Sequence, residues 1–442
     1  MSIPVIVQVL LVFGLVVAAT ALHMHLGLAA VAGGVVFALW RGVSLPEIGR
    51  AALTEFLDPD TLLLLVLVTM IMALSAAMKK SGALGLFAGA VRAVAPSARA
   101  SIALTPLLFG TLPMPGGAAL SAPLVDAIDP DRRLGADRLA AANYWFRHAL
   151  ELAWPLYPAF ILTSTLSGIA TPRLILLNLY AMPVLVALGQ VFVLGRGVDR
   201  LVGTREKSPA EDTRITEQGS GRFMQAVAGF APLAIILGTY LSLDVLWRLV
   251  SPGMNLDPRT AALAGRFGPI MLGIVAGAVY VAIKDAGRGA FKGTVSVASL
   301  KLAAIIAGIR VFAALLETGD VAAASAAELA AAGISPILVA VLLPFISGLV
   351  TGVGFGYVGI AFPIVMGLFP AAGGALPREA AVVLAGAFGY AGMMLSPLHV
   401  CLVVTAGHFG TGLLATIRRY APPLLAFLVV AIGYVAVLSA VL

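Results

Sequence analysis

Charged side chains are scarce in this sequence. Asp, Glu, Lys and Arg together supply 11% of its 442 residues, against roughly 25% in soluble globular domains. Too little polar surface is available to cover a water-soluble core, and a chain this apolar is not disordered either. Cysteine is scarcer still. Cys401 is the only one and lies in an apolar stretch, which leaves no disulfide framework and no cluster of cysteine metal ligands. His23 and His25, in one short loop, are too few for a metal site. No Ser/His/Asp, HExxH or paired-carboxylate arrangement occurs at a workable spacing, so no enzyme is expected. Gly354-Phe355-Gly356-Tyr357-Val358-Gly359 matches a dinucleotide pattern formally, but no soluble strand precedes it and the reading is refused.

What is abundant is apolar: 60% of residues are hydrophobic, with 48 Gly and 26 Pro. Lipid is the expected solvent, and helices in lipid tolerate Gly and Pro. Runs of about 20 apolar residues predict spans at 4–22, 26–41, 61–78, 138–170 and 174–196, then at 223–250, 265–283, 298–317, 380–408 and 420–441. Val5 to Leu22 lacks a basic leader and reads as a retained first helix rather than a signal peptide. Two stretches, 100–128 and 336–370, are interrupted by Pro and Gly and read as re-entrant hairpins. Amphipathic connectors at 44–57 and 286–297 are expected along the interface. The predicted fold class is an all-α polytopic membrane protein of about ten transmembrane helices plus two re-entrant hairpins.

The net charge of +7 does not call for nucleic acid, because the basic residues sit at the ends of apolar segments. Lys79, Lys80, Arg92 and Arg99, then Arg132, Arg133 and Arg138, Lys284, Arg288 and Lys292, and Arg418 and Arg419 form basic loops. Glu47, Glu55, Asp58, Asp60, Glu317, Asp320 and Glu328 form acidic ones. Placing the basic loops inside puts both termini outside.

The halves align with one another. Met78-Lys79-Lys80-Ser81-Gly82 matches Leu315-Leu316-Glu317-Thr318-Gly319, and Pro106-Leu107-Leu108-Phe109-Gly110 matches Pro344-Phe345-Ile346-Ser347-Gly348. Leu112-Pro113-Met114-Pro115-Gly116-Gly117 then matches Val350-Thr351-Gly352-Val353-Gly354-Phe355, and Trp154-Pro155-Leu156-Tyr157 matches Ser396-Pro397-Leu398-His399. Residues 1–200 and 223–442 thus read as inverted repeats joined by a cytoplasmic linker at 201–222. That construction places a site near the midplane, lined by hairpin tips and broken helices.

Substrate contacts are therefore expected from Pro113, Met114, Pro115, Gly116 and Gly117, from Thr351, Gly352 and Gly354, and from Ser396, Pro397 and His399. Ionisable residues at membrane depth are the default coupling candidates. Asn143, Arg147 and Glu151 recur every fourth residue with His148 alongside. Either Arg147 and Glu151 neutralise each other along the helix, or Glu151 with His148 binds the coupling proton or cation. Arg310, midway along its span, is left to pair with Glu151 or to meet an anionic substrate. No organic cofactor is expected. Sodium ions near Leu112, Trp154, Thr351 and Ser396 stay open as coupling ions, held by freed carbonyls.

The stretch Phe109-Gly110-Thr111-Leu112-Pro113-Met114-Pro115-Gly116-Gly117-Ala118, with Ser121-Ala122-Pro123, resembles the DUF401 family of prokaryotic membrane proteins. The order of elements over nearly the whole chain is similar to the ion transporter superfamily, which includes the divalent anion/sodium symporters. That resemblance implies a prokaryotic inner-membrane homodimer working as an elevator. It implies a scaffold of 4–57, 174–297 and 420–441, and a transport domain of 61–170 and 298–408. The Ser-Asn-Thr signature of the sodium-coupled dicarboxylate carriers is absent from both tips, which argues against a dicarboxylate, and the aromatic neighbours Trp154, Tyr157, Phe355 and Tyr357 leave room for a less polar anion. The expected function is a sodium- or proton-coupled secondary transporter of a small organic anion. The alternatives are a proton-driven exporter of an inorganic oxyanion or metabolite, and an uncoupled channel or membrane scaffold. Its partners would be an ion or small-molecule substrate and the bilayer, with no nucleic acid.

Overall fold

The computed structural model describes residues 3–22, 24–81, 95, 97–111, 117–202, 231–284, 289–318, 328, 331–369 and 376–442. Among these residues every regular element is helical. The first half contains α1 (Val5–Ala21), α2 (Leu26–Trp40), α3 (Leu45–Phe56), α4 (Pro59–Lys80), α5 (Ala98–Phe109), α6 (Ala118–Asp126), α7 (Ala136–His148) and α8 (Pro158–Ser167). It ends with α9 (Thr171–Leu194) and the short α10 (Val198–Val202). The second half contains α11 (Ala231–Gly253), α12 (Pro258–Lys284), α13 (Val297–Thr318), α14 (Pro336–Thr351), α15 (Gly354–Leu368), α16 (Arg378–Leu395), α17 (Val400–Phe409) and α18 (Leu413–Val441). Among the described residues, seven helices are long and apolar enough to cross a membrane, counting α16 and α17 as one. The chain is a multi-pass membrane protein.

Local chemistry sets the boundaries. Asp58 caps α4 by accepting from the Asp60 N–H at 2.9 Å, Pro59 opens it, and Lys79 and Lys80 close it. The amphipathic connector α3 begins at a capping box, in which the Glu47 carboxylate accepts from the Ser44 N–H at 3.0 Å and hydroxyl at 2.7 Å. These bonds hold the exposed Glu47 carboxyl below its ordinary range. Their small contribution is therefore present above that range and lost as pH falls through the lowered value.

Ion pairs show which way the helices run. At one end Asp58 pairs with Arg259 and Asp60 with Arg266. At the other, Lys80 Nζ donates to the carbonyls of Gly289 at 3.2 Å and Lys292 at 3.0 Å. Helices α4 and α12 are therefore parallel. Helix α13 opposes them: Arg310 reaches Thr61 at the start of α4 (3.1 Å), while Leu302, earlier in α13, lines a cavity with Met72 further along α4.

Two predicted spans differ in detail from the structure. The stretch 138–170 is broken as expected, but earlier and more widely than at Trp154-Pro155: α7 and α8 are separated by turns over 149–157. Pro155 and Pro158 lack the N–H groups a continuous helix needs there, and Pro158 instead starts α8. The span 174–196 is helical but irregular, ending in a wide turn over Gly189–Leu194. A β-carbon at Gly189 would come within 2.5 Å of Trp145 Nε1, which donates to the Leu185 carbonyl at 2.8 Å. The wide turn thus makes room for an indole. Helix α18 starts before the predicted 420, at Leu413. The predicted connector 286–297 is described only from 289, where turns lead into α13.

Arg310 does not pair with Glu151. Its Nη2 lies 2.6 Å from Glu55 Oε1, with both side chains mostly buried (15% and 19% exposed). Long methylenes let the guanidinium climb from mid-helix to the acidic end. Glu55→Gln should lower stability in detergent by about 1–3 kcal/mol, because a mostly buried guanidinium loses its counter-charge. A thermal-unfolding midpoint unchanged from the parent protein would show the pair to be dispensable.

Candidate functional site

Two broken helices meet at their breaks. In the first half α7 stops at His148 and α8 restarts at Pro158; in the second α16 stops at Leu395 and α17 restarts at Val400. Arg173, at the start of α9, pairs with Glu379 in the first turn of α16 at 2.6 Å, while Arg132, just before α7, donates to the carbonyl of Phe409, at the end of α17, at 2.9 Å. The broken helices are therefore antiparallel and cross where each is interrupted.

The first break closes the end of α5. The last carbonyls of a helix have no partner within it, and here each of three receives one side chain. Arg147 Nη1 donates to Phe109 O at 2.9 Å, the Tyr157 hydroxyl to Gly110 O at 2.6 Å, and Trp154 Nε1 to Thr111 O at 2.8 Å. Gly110 and Gly117 lie so close to Arg147 that a β-carbon at either would collide with it. Pro113, Met114, Pro115 and Gly116, and Leu112 before them, fall outside the described residues.

The second hairpin presses on the second break. Gly352 ends α14 in the left-handed region (φ 64°), where a side chain would be strained. A β-carbon there would come within 2.9 Å of both His399 N and Ser396 Oγ. Two residues further, at Gly354, α15 begins with no side-chain cap on its first turn. A β-carbon on its first residue, Gly354, would lie 2.7 Å from Glu151 Oε1. The Glu151 carboxylate thus faces the electropositive start of α15.

Between these parts lies a cavity of about 180 Å³. Arg147, His148, Glu151 and Tyr157 line it from the first half, and Gly352, Val353, Gly354, Phe355, His399 and Cys401 from the second. His148 Nε2 and His399 Nε2 are 3.1 Å apart, and His148 Nδ1 lies 2.7 Å from the Tyr144 carbonyl. Glu151 Oε2 and His399 Nδ1 are buried without a hydrogen-bond partner among the described residues.

Five residues expected at the site do line the cavity: His148, Glu151, Gly352, Gly354 and His399. Others are placed differently. Gly117 packs under Arg147. The Thr351 hydroxyl turns back to its own helix, donating to Ser347 O at 2.7 Å. Ser396 Oγ is fully buried and accepts the Leu398 N–H at 3.2 Å, while Pro397 is exposed on the outside of the break. The Trp154 indole donates to the Thr111 carbonyl at the first tip. The every-fourth-residue pattern of Asn143, Arg147 and Glu151 does not describe one helical face, because α7 ends at His148. Asn143 Nδ2 donates to Thr405 Oγ1 at 3.1 Å, Arg147 turns to α5 and Glu151 to α15. Cys401 is the participant the sequence reading missed. His399 two residues before it was a visible signal, but His148, 251 residues from His399, could be joined to it only in three dimensions.

A family model described as "Protein of unknown function (DUF401)" matches residues 5–209 and 270–441. No curated protein matches the chain. Among solved structures, the YdaH transporter of Alcanivorax borkumensis, whose crystal structure is described as having an unusual topology, is similar with a TM-score of 0.54. The match covers 87% of this chain and 89% of that one at 16% identity, which establishes a common fold and nothing about cargo.

Proposed function

The chain belongs to the DUF401 family, and from that premise we propose that it is a secondary active transporter of a small organic anion coupled to sodium ions or protons. The observation that carries this reading is the Glu151 carboxylate, buried in the cavity at the helix crossing and set against the uncapped first turn of α15. An ionised carboxylate there occupies the place a substrate anion would seek. Two anions cannot share a low-dielectric cavity without a counter-charge. A proton or sodium ion on Glu151 removes the conflict, so cargo and coupling ion bind together. Arg147, beside the first tip and lining the same cavity, adds positive charge for the anion.

The two halves work as inverted repeats in this reading, supported by the antiparallel course of α4 and α13 and of the two broken helices. We assign 4–57, 174–297 and 420–441 to a scaffold and 61–170 with 298–408 to a transport domain. The assembly is a homodimer in a prokaryotic inner membrane with both termini outside, and alternating access is an elevator movement. Uptake into liposomes, across a panel of organic anions with imposed sodium or proton gradients, tests the proposal. Gradient-driven accumulation of at least one anion is expected; flux indifferent to both gradients would mark an uncoupled channel.

A further inference from the structure

His148, His399 and Cys401 converge from opposite halves of the chain, with their donor atoms all within 4.8 Å of one another. All three are over nine-tenths buried, and so is Glu151, which lines the same cavity with an oxygen that has no partner. From this geometry we propose that the helix crossing is a binding site for a soft transition-metal ion of the zinc or copper(I) type, held by His148 Nε2, His399 Nε2 and Cys401 Sγ, with the Glu151 carboxylate in the same cavity as a nearby negative charge rather than a ligand.

The two facing imidazole nitrogens constrain each other. They are 3.1 Å apart, so both cannot carry hydrogens. His148 Nδ1 is committed to the Tyr144 carbonyl at 2.7 Å, which a neutral ring can meet only by donating. Its Nε2 lone pair then points into the cluster. A ring whose second nitrogen is fixed by a backbone carbonyl is the usual outer support of a metal-binding histidine. Metal–nitrogen bonds of about 2.0–2.1 Å and metal–sulfur bonds of about 2.3 Å around a tetrahedral ion set donors about 3.3–3.6 Å apart; the imidazole nitrogens, at 3.1 Å, are near that spacing, and the wider pair within the 4.8 Å cluster draws in on binding. The donor set also selects the metal. Thiolate and imidazole favour zinc and copper(I), whereas sodium, magnesium and calcium seek oxygen.

Charge supports the same assignment. One thiolate and two neutral imidazoles leave copper(I) neutral and zinc with a single positive charge, which the Glu151 carboxylate in the same cavity offsets. The thiol proton leaves to solvent as the sulfur ligates. The ion would tie the break after α7 to the break after α16. The site goes beyond the transport reading and is tested without any flux measurement.

Cadmium is the probe. Cys401 is the one cysteine in the sequence, so any cadmium–thiolate charge-transfer absorption comes from that residue. Titrating tag-free, metal-free protein in detergent should raise an ultraviolet band that saturates at one equivalent and is displaced by zinc. Cys401→Ser should abolish the band. His148→Ala and His399→Ala should each weaken binding by more than the roughly 10–100-fold that loss of an outer support costs. No band with the native chain would overturn the proposal, as would undiminished affinity in both histidine variants. If those variants fail to fold, cobalt(II) in the native chain decides: tetrahedral nitrogen–sulfur visible bands support the site, and a six-coordinate spectrum refutes it.

Discussion

Glu151→Gln should leave the protein folded and remove the coupling between cargo and ion. The amide keeps the shape of the carboxyl group, but it can neither take up a proton nor neutralise a cation. Coupling free energies between two ligands typically run about 1–3 kcal/mol, or about 5–150-fold in affinity, and that is the factor the variant should lose. In liposomes its flux should no longer rise with the imposed gradient, and the pH dependence of uptake should flatten. Two features make Glu151 the place where the largest effect is expected. The residue is only 7% exposed, and its carboxylate lies against the start of α15 at Gly354. A parent-like response of the variant to both gradients would confine Glu151 to a packing role and remove the main support for the proposed function.

Gly392→Ala should destabilise the protein by about 1–3 kcal/mol, the usual range for overpacking a well-packed interior, and by more if the helices cannot part. Helices α14 and α16 pass so closely that a β-carbon on Gly392 would collide with the carbonyl of Phe345, and one on Gly348 with the carbonyl of Gly389. A backbone carbonyl cannot rotate aside as a side chain does, so the helices themselves must separate. Close approach through small residues is how membrane helices associate without a hydrophobic driving force between them. This seam also positions the site, because α14 ends at the tip glycine Gly352 and α16 ends at the break that Gly352 touches. The variant should therefore lose transport along with stability. Gly433→Ala in α18 is the contrast: no atom lies within 4 Å of its added methyl, and alanine is favoured over glycine in a helix. Thermal unfolding in detergent should move in opposite directions for the two, and equal midpoints would refute the close-packing account.

Much of this architecture is legible along the chain because its causes are local. Apolar runs mark α4, α12 and α18, and proline and glycine mark the interruptions before α8, at Gly352 and before α17. The candidate residues His148, Glu151 and His399 could be named because ionisable groups at membrane depth stand out against hydrocarbon. The same locality misplaced others. Periodicity put Glu151 on one helical face with Arg147, but the helix stops between them. Depth along α13 suggested that Arg310 belongs at the site, whereas its side chain climbs to Glu55.

The sequence by itself determined the solvent, the helical class, the places where helices break and the glycines that mark the second tip. Only the tertiary structure decided which groups meet at the breaks. That choice depends on where the antiparallel broken helices cross and on how the second hairpin packs against them, set by contacts such as Arg132 on Phe409 and Gly392 on Phe345 between residues far apart in the chain. His148, His399 and Cys401 are brought together by that crossing, as no pattern of neighbours could have done.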